Sequence, residues 1–296
     1  MSLGFSSCLA RRRAISGRGG IPTPKLLVAD TASLVAAVDR QYNAIHDFNA
    51  TVDMVPALGS AEKSQITEFK DVRAFILFRK PAWIRVIGLY PVVRSKAFDM
   101  VSNGIDFRLF LPGKDRFVAG RNEITAPSHN KLENLRPEHI LSALLVRPLD
   151  TSPPVKLLLE NFTDEDNAYY ILQEIRETPD GELHLQRTLW FNRVNLQLAR
   201  QLIFDSSGNI LSDDRYSQWK VYDNVPFPKH IEINRPRDEY GVIIDIVKLD
   251  INKGVSDDKF VLEQPEGTIL QIVGQPPVTP PNKAWPQAAQ PQDRQP

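Results

Sequence analysis

The sequence predicts a mainly β fold, an antiparallel sheet with one helix ahead of it and a second near its middle. Three observations carry this. After Phe48 the apolar period is two over most of the chain. The alternating runs are divided by turn formers such as Lys80-Pro81, Asn103-Gly104 and Pro179-Asp180-Gly181. Strands do not alternate with helices, which excludes a parallel nucleotide-binding sheet.

The first element is a helix. Asp30 or Thr31 can cap it, and Leu34, Val38, Tyr42 and Ile45 recur at three- and four-residue spacing. Strands are then expected over Thr51 to Leu58, Gln65 to Phe78, Trp83 to Tyr90, Ala97 to Val101, Ile105 to Leu111 and Arg116 to Ala119. Asn103-Gly104 predicts a two-residue type I′ hairpin turn. Pro137 opens a short helix whose Ile140, Leu141, Leu144 and Leu145 form an apolar face before Pro148 stops it. Strands resume over Tyr169 to Glu177, Leu183 to Phe191, Asn195 to Asp205, Asp214 to Tyr222, His230 to Asn234 and Gly241 to Asp250, with Pro226-Phe227-Pro228 read as a corner. The total is about eleven strands.

Composition bounds the function. Among 296 residues, 42% are hydrophobic and 24% charged, enough to build a sizeable core. Lys+Arg and Asp+Glu are balanced at 36 each, without the basic excess of a duplex nucleic-acid binder. A single cysteine builds neither an internal disulfide nor a thiolate zinc site. The chain divides into residues 1–25, a leader and tether; 26–273, a β-rich domain; and 274–296, a Pro/Gln-rich tail with too little apolar surface to order itself. Trp285 stands alone in that tail.

Catalytic signatures are scarce. The Gly17 to Gly20 stretch lacks the Lys-Ser/Thr of a phosphate loop. His46, His129, His139, His184 and His230 do not pair at metal-ligand spacing, and the Asp164-Glu165-Asp166, Asp213-Asp214 and Asp257-Asp258 pairs read as solvated turns. Asn161-Phe162-Thr163 matches a glycosylation sequon, a match that arises freely by chance. No enzyme, metal or cofactor is expected.

The strand faces say more. In Val72 to Arg79 one face is wholly apolar, while the other sets Phe75 and Leu77 between Arg73 and Arg79. Phe107, Leu109 and Leu111 oppose Asp106, Arg108 and Phe110, and Trp83, Ile87 and Leu89 oppose Ile84 and Val86. Two arrangements satisfy this pattern: ordinary sandwich packing, or a curved sheet with an apolar concavity that two short helices cover only partly.

Several short motifs, in order, resemble the LolA/LolB-like superfamily of bacterial outer-membrane lipoprotein-sorting proteins. Lys80-Pro81-Ala82-Trp83-Ile84-Arg85 is similar to that family's KPxxxR stretch, and Ser102-Asn103-Gly104 with Phe107, Phe110 and Pro112 to the hairpin after it. Arg215-Tyr216 with Trp219, Pro226-Phe227-Pro228 with Ile231, then Asn252 and Asp258 to Leu262 before Pro265, resemble its closing strands. The likeness runs from about Leu34 to Pro265 and is interrupted by a long segment around Ala126 to Asn167. It implies an incomplete antiparallel β-barrel of eleven strands, its concave face lidded by helices and holding acyl chains of lipoproteins or lipids, in a monomer that binds no nucleic acid. Candidate cavity-lining residues are Phe75, Trp83, Ile87, Phe107 and Leu109 from the sheet and Leu141, Leu144 and Leu145 from the internal helix; plain core is the competing reading. Arg85 is a candidate to hold a lid carbonyl, with an exposed salt bridge as its alternative. Other roles for the same frame are a free-lipid binder, or a sensor or assembly subunit that docks an envelope protein on the sheet.

The resemblance also bears on Cys8. Phe5-Ser6-Ser7-Cys8 has the small residues that a lipoprotein signal peptidase favours, although Ser2 to Phe5 is far shorter than a secretory core of roughly 7 to 15 residues. A start assigned too far downstream reconciles the two. Cys8 is then the lipidation site, Ala10 to Pro24 the tether, and Leu9 in place of aspartate directs the protein to the periplasmic face of the outer membrane.

Overall fold

The computed structural model describes residues 25–60, 65–68, 71–123, 136–164 and 166–273. Cys8, the Ala10 to Pro24 segment and Trp285 lie outside the described residues. Helix α1 (Thr31–Asn43) starts where its cap dictates: Asp30 accepts from the Ser33 backbone N–H at 2.8 Å, and the Ser33 hydroxyl accepts from the Asp30 N–H at 3.1 Å. One sheet follows, built from β1 (Asp47–Ser60), β2 (Gln65–Glu68), β3 (Val72–Arg79), β4 (Trp83–Leu89), β5 (Lys96–Ser102), β6 (Asp106–Leu111) and β7 (Arg116–Arg121). Helix α2 (Pro137–Leu144) interrupts, with Pro137 in its first turn. The second half comprises β8 (Val155–Thr163), β9 (Ala168–Glu177), β10 (Leu183–Asn192), β11 (Leu198–Phe204), β12 (Ile210–Tyr222), β13 (Val225–Arg235) and β14 (Tyr240–Ile251), and β15 (Ile269–Val273) closes the set.

The strand order is β15-β7-β6-β5-β4-β3-β1-β14-β13-β12-β11-β10-β9-β8, with β2 paired to β1. Two meanders are therefore joined through one seam, β1 against β14, running from Phe48 opposite Ile251 to Leu58 opposite Tyr240. The sheet is mainly antiparallel, as the sequence predicts, and not closed, as the resemblance implies, but it has fifteen strands among the described residues where about eleven were expected.

Its curvature follows from α2. At the head of α2 the Arg136 guanidinium stacks 4.2 Å from the Phe107 ring of β6, and the Ser142 carbonyl accepts from Gln201 Nε2 of β11 at 3.5 Å. β6 and β11 stand eight places apart in the sheet, about 38 Å if it were flat. Residues 136 and 142 are about 9 Å apart along a helix. The sheet must curl around α2 for one short helix to reach both. Register irregularities at Thr51/Val52, Gly88/Leu89, Leu185/Arg187, Trp190/Phe191 and Ile203/Phe204 supply local bending. The inner face holds the main core, including Phe48, Ile76, Phe78, Val86, Ile231 and Ile244, with Leu34 and Val38 of α1 and Ile140, Leu141 and Leu144 of α2 packed onto it.

Several elements differ from expectation. Strand β8 falls in the segment read as an interruption; its central Leu157-Leu158-Leu159 run does not alternate, and it is an edge strand with Leu158 half exposed. The strand expected over Gln65 to Phe78 is two, and β13 runs straight through the supposed Pro226-Phe227-Pro228 corner. The Asn103-Gly104 connection has three residues, because the Asn103 side-chain oxygen accepts from the N–H groups of Ile105 (2.9 Å) and Asp106 (2.8 Å) and only Gly104 takes a positive φ. Asp258 to Leu262, expected among closing strands, forms a 3-10 turn and an irregular strap, and β15 pairs parallel to β7.

Asn252 fastens the seam. Its φ is 56°, and its side-chain oxygen accepts from His46 N–H (2.7 Å) and Asp47 N–H (3.3 Å) while its amide donates to the Ala44 carbonyl (2.8 Å). One side chain thus ties the end of α1 and the start of β1 to the end of β14. Replacing Asn252 with Ala removes these three bonds and is expected to cost about 1–3 kcal/mol in urea unfolding. An unchanged midpoint would show that the junction holds without it.

Candidate functional site

A cavity of ≈ 410 Å³ lies between α1, the end of α2 and strands β10 to β13. Helix α1 presents Ala37, Val38, Gln41 and Ala44 to it, and the end of α2 contributes Ala143, Leu144 and Leu145. The sheet side is Phe191, Leu198, Tyr216, Trp219, Pro226 and Pro228. Exposed Arg40 and Asn224, with half-buried Gln197, mark where it reaches the surface.

The local sequence explains why the floor is there. Pro226 and Pro228 of β13 have no N–H to give to β12, so the ladder is weakened opposite Val221 and Trp219. Gln218 takes a left-handed φ of 54°, which breaks the strict alternation of β12 and turns Tyr216 and Trp219, three residues apart, into one cavity. Trp219 Nε1 donates to the Leu198 carbonyl at 3.0 Å, and Gln41 Nε2 donates to the Pro226 carbonyl, fixing the indole and holding α1 over the floor.

Beside the cavity a polar belt latches α2 to the inner face. Arg187 of β10 pairs with Glu174 of β9 at 2.7 Å and donates to the carbonyls of Arg147 and Pro148 just after α2. Asp214 of β12, fully buried, accepts from Ser212 Oγ (2.6 Å) and Gln201 Nε2 (3.0 Å). Burial pushes its carboxyl up to about 6, against the downward pull of those two bonds and the Arg235 charge. Burial, with the charges of Arg235 and Arg136, holds His139 well below the usual imidazole range. Neutral His139 accepts from Arg235 at Nε2 (3.2 Å), so Nδ1 carries the proton toward the Tyr240 hydroxyl.

Alternation divides the residues singled out in the sequence. Leu144 and Leu145 line the cavity. Leu141 is packed in the core, as are Phe107 and Leu109 at 1% exposure each, on the inner face but away from it. Phe75, Trp83, Arg85 and Ile87 point to the opposite, outer face, since they alternate with inward Ala74, Ile84 and Val86. The sequence motifs thus name residues from two surfaces, and the floor in β10 to β13 and the α1 wall were missed.

The outer face has its own cover. Trp83 packs on Phe260 (centroids 5.8 Å apart) in a second cluster with Val101, Phe117 and Leu262. Arg85 forks onto Asp99 (2.8 and 2.9 Å) and donates from Nη1 to the carbonyls of Lys259 (2.9 Å) and Val261 (3.1 Å); Arg108 donates to that of Leu262. Arginines of the sheet therefore pin the strap after β14. Burial raises the Asp99 carboxyl, but bonds and charges from Arg85 and Lys96 outweigh it and leave it below its ordinary value. Phe75 lines a separate outer pocket of ≈ 300 Å³ with Arg73, Tyr90 and Arg94. Past that pocket the β4–β5 turn projects Val92 (90% exposed) and Val93 (72%).

Two outcomes are expected. Asp214 has a higher folded than unfolded pKa, so the folded state binds the extra proton, and stability from this group rises as pH falls from about 7 toward 4. Asp214→Asn should therefore stabilise the protein at pH 8 by on the order of 1–3 kcal/mol, an advantage that shrinks as pH falls through about 6 and is lost only below the unfolded carboxyl's 3.8 in paired denaturation curves. A pH-independent difference would refute this assignment. Arg85→Ala leaves the buried Asp99 carboxylate with Lys96 alone and removes two of the bonds that hold the strap; a loss of about 2–3 kcal/mol at pH 7, with faster proteolysis after β14, is expected, and wild-type stability would contradict it.

No protein-family model matches the chain, and no curated protein matches it either. Solved structures do. A DUF1329 family protein from Desulfovibrio piger superposes with a TM-score of 0.51 at 17% identity, covering 77% of this chain and 95% of that one. A LolA superfamily protein from Nitrosomonas europaea gives 0.48 at 16% identity, over 79% and 99% of the two chains. A domain assigned to outer-membrane lipoprotein sorting from Vibrio parahaemolyticus gives 0.47 at 12%, over 77% and 94%. At these identities the similarity is one of fold alone.

Proposed function

We propose that this protein binds acyl chains without catalysis, in the cavity between α1, α2 and β10 to β13, and serves lipoprotein sorting or lipid transfer at the bacterial outer membrane. The observation that carries the reading is the cavity wall: Val38, Leu144, Leu198, Phe191 and Pro228 give it an apolar lining beneath two helices. A volume of ≈ 410 Å³ falls within the ~300–1,000 Å³ of small-molecule sites. A methylene takes about the ~30 Å³ that a water occupies in the liquid, so one chain of about a dozen carbons fits as the helices stand. Each methylene withdrawn from water contributes about 0.8 kcal/mol before the cost of immobilising the chain. A cargo with three chains requires α1 and α2 to part.

The rest of the reading concerns placement. Cys8, lipidated after removal of the leader before it, anchors the Ala10 to Pro24 tether, residues 26–273 form the binding domain, and 274–296 are its Pro/Gln-rich tail. The β4–β5 turn, with Val92 and Val93 projecting beside Arg94 and Lys96, has the apolar tip and cationic flanks that suit contact with an anionic lipid surface.

Organic extraction of the protein purified from its native envelope, followed by mass spectrometry, is expected to release acyl lipid or lipoprotein. Ala37→Trp, which pushes an indole into the cavity from α1, should lower uptake of a fluorescent fatty acid at least about tenfold. A ligand-free preparation that takes up no fatty acid would sink the reading. N-terminal mapping should find an acylated Cys8; an intact Met1 on cytoplasmic protein rules the anchor out.

A further inference from the structure

Polar groups are unevenly distributed around the cavity. Among the described residues its lining includes no Asp or Glu, and Arg40 is the one charged residue. Arg40 is exposed in the last turn of α1 and makes no ion pair among the described residues. Gln197 lies on the same rim; its side-chain oxygen already accepts from Asn195 Nδ2 at 2.8 Å, so its amide nitrogen is the group left to donate. Asn224, held at φ 65°, adds a second amide to the rim. The mouth therefore offers a guanidinium fork and amide donors with no competing carboxylate, while the interior has room for one chain.

We propose that the cavity takes a single-chain amphiphile with an anionic oxyacid head, the head held at Arg40 and the chain lying between α1 and β10 to β13. The planar guanidinium matches a carboxylate or phosphate with two parallel N–H donors, which an ammonium or hydroxyl head cannot use. This rests on the acyl-binding reading and adds the head-group chemistry and the number of chains. A neutral acyl ester would leave Arg40 without a role in recognition.

The test is titration of the full chain with dodecanoate, dodecyl phosphate, dodecylammonium and dodecanol below their micelle concentrations, followed by tryptophan fluorescence, since Trp219 stands in the wall. Either anion should bind roughly 3- to 10-fold more tightly than dodecylammonium, with the preference falling as salt rises. The tighter anion identifies the head. Arg40→Glu should reverse the order of the anions and dodecylammonium. Equal binding of all four ligands, or an Arg40→Glu variant with the wild-type order, overturns the head-group assignment while leaving acyl binding intact. Binding of none of them overturns both.

Discussion

The grip of α2 on both arms of the sheet is the contact on which the remaining architecture depends. Arg136 stacked on Phe107 and the Ser142 carbonyl held by Gln201 bring strands eight places apart within reach of one eight-residue helix. The chain leaves the first meander at β7 and enters the second at β8, the far edge of the sheet, so the intervening segment has to cross from one end to the other. Crossing on the inner side puts an apolar helix where the sheet needs cover. Once α2 occupies one part of the concavity, α1 covers another, and the space between them and β10 to β13 remains as the cavity.

Buried polar groups place that helix more sharply than apolar contacts alone could. Leucines slide over an apolar sheet at little cost, whereas Arg187, Glu174, Gln201 and His139 each meet partners at hydrogen-bond distance. Asp214 shows the cost of such a device: a carboxylate kept from water by the same packing that fixes α2, with its ionised form disfavoured up to about pH 6. The outer face uses the same means. There arginines reach out from the strands to backbone carbonyls, so a strap with few apolar side chains still lies firmly on the sheet.

Fold class was legible because period-two patterning and turn chemistry act locally: β3, β4, β6 and β10 sit close to where alternation puts them, and Asp30 caps α1 as its chemistry requires. The site was less legible. Tyr216 and Trp219 share a cavity only because Gln218 turns left-handed between them, and strict alternation assigns them to opposite faces. Pro226 and Pro228 read as a corner, since nothing in the sequence says that a strand missing two donors will be tolerated beside a cavity. The Lys80 to Arg85 motif was conspicuous, yet its Trp83 and Arg85 serve the outer strap. Leu144 and Leu145 were found because a short amphipathic helix has a single face to bury.

The seam between β1 and β14 has a consequence for how the chain acquires its structure. The His46 to Asn252 bond spans 206 residues, and the ladder beside it has nearly the same separation. Such non-local pairing gives the fold a high contact order, so closure is slow compared with the growth of either meander from its own hairpins. Until β14 arrives, β1 is an unpaired edge and the inner face of the first meander lacks its opposite arm. A nascent chain therefore passes through a half-formed state with an open strand edge and an uncovered apolar face, the condition in which chaperone binding or aggregation competes with completion.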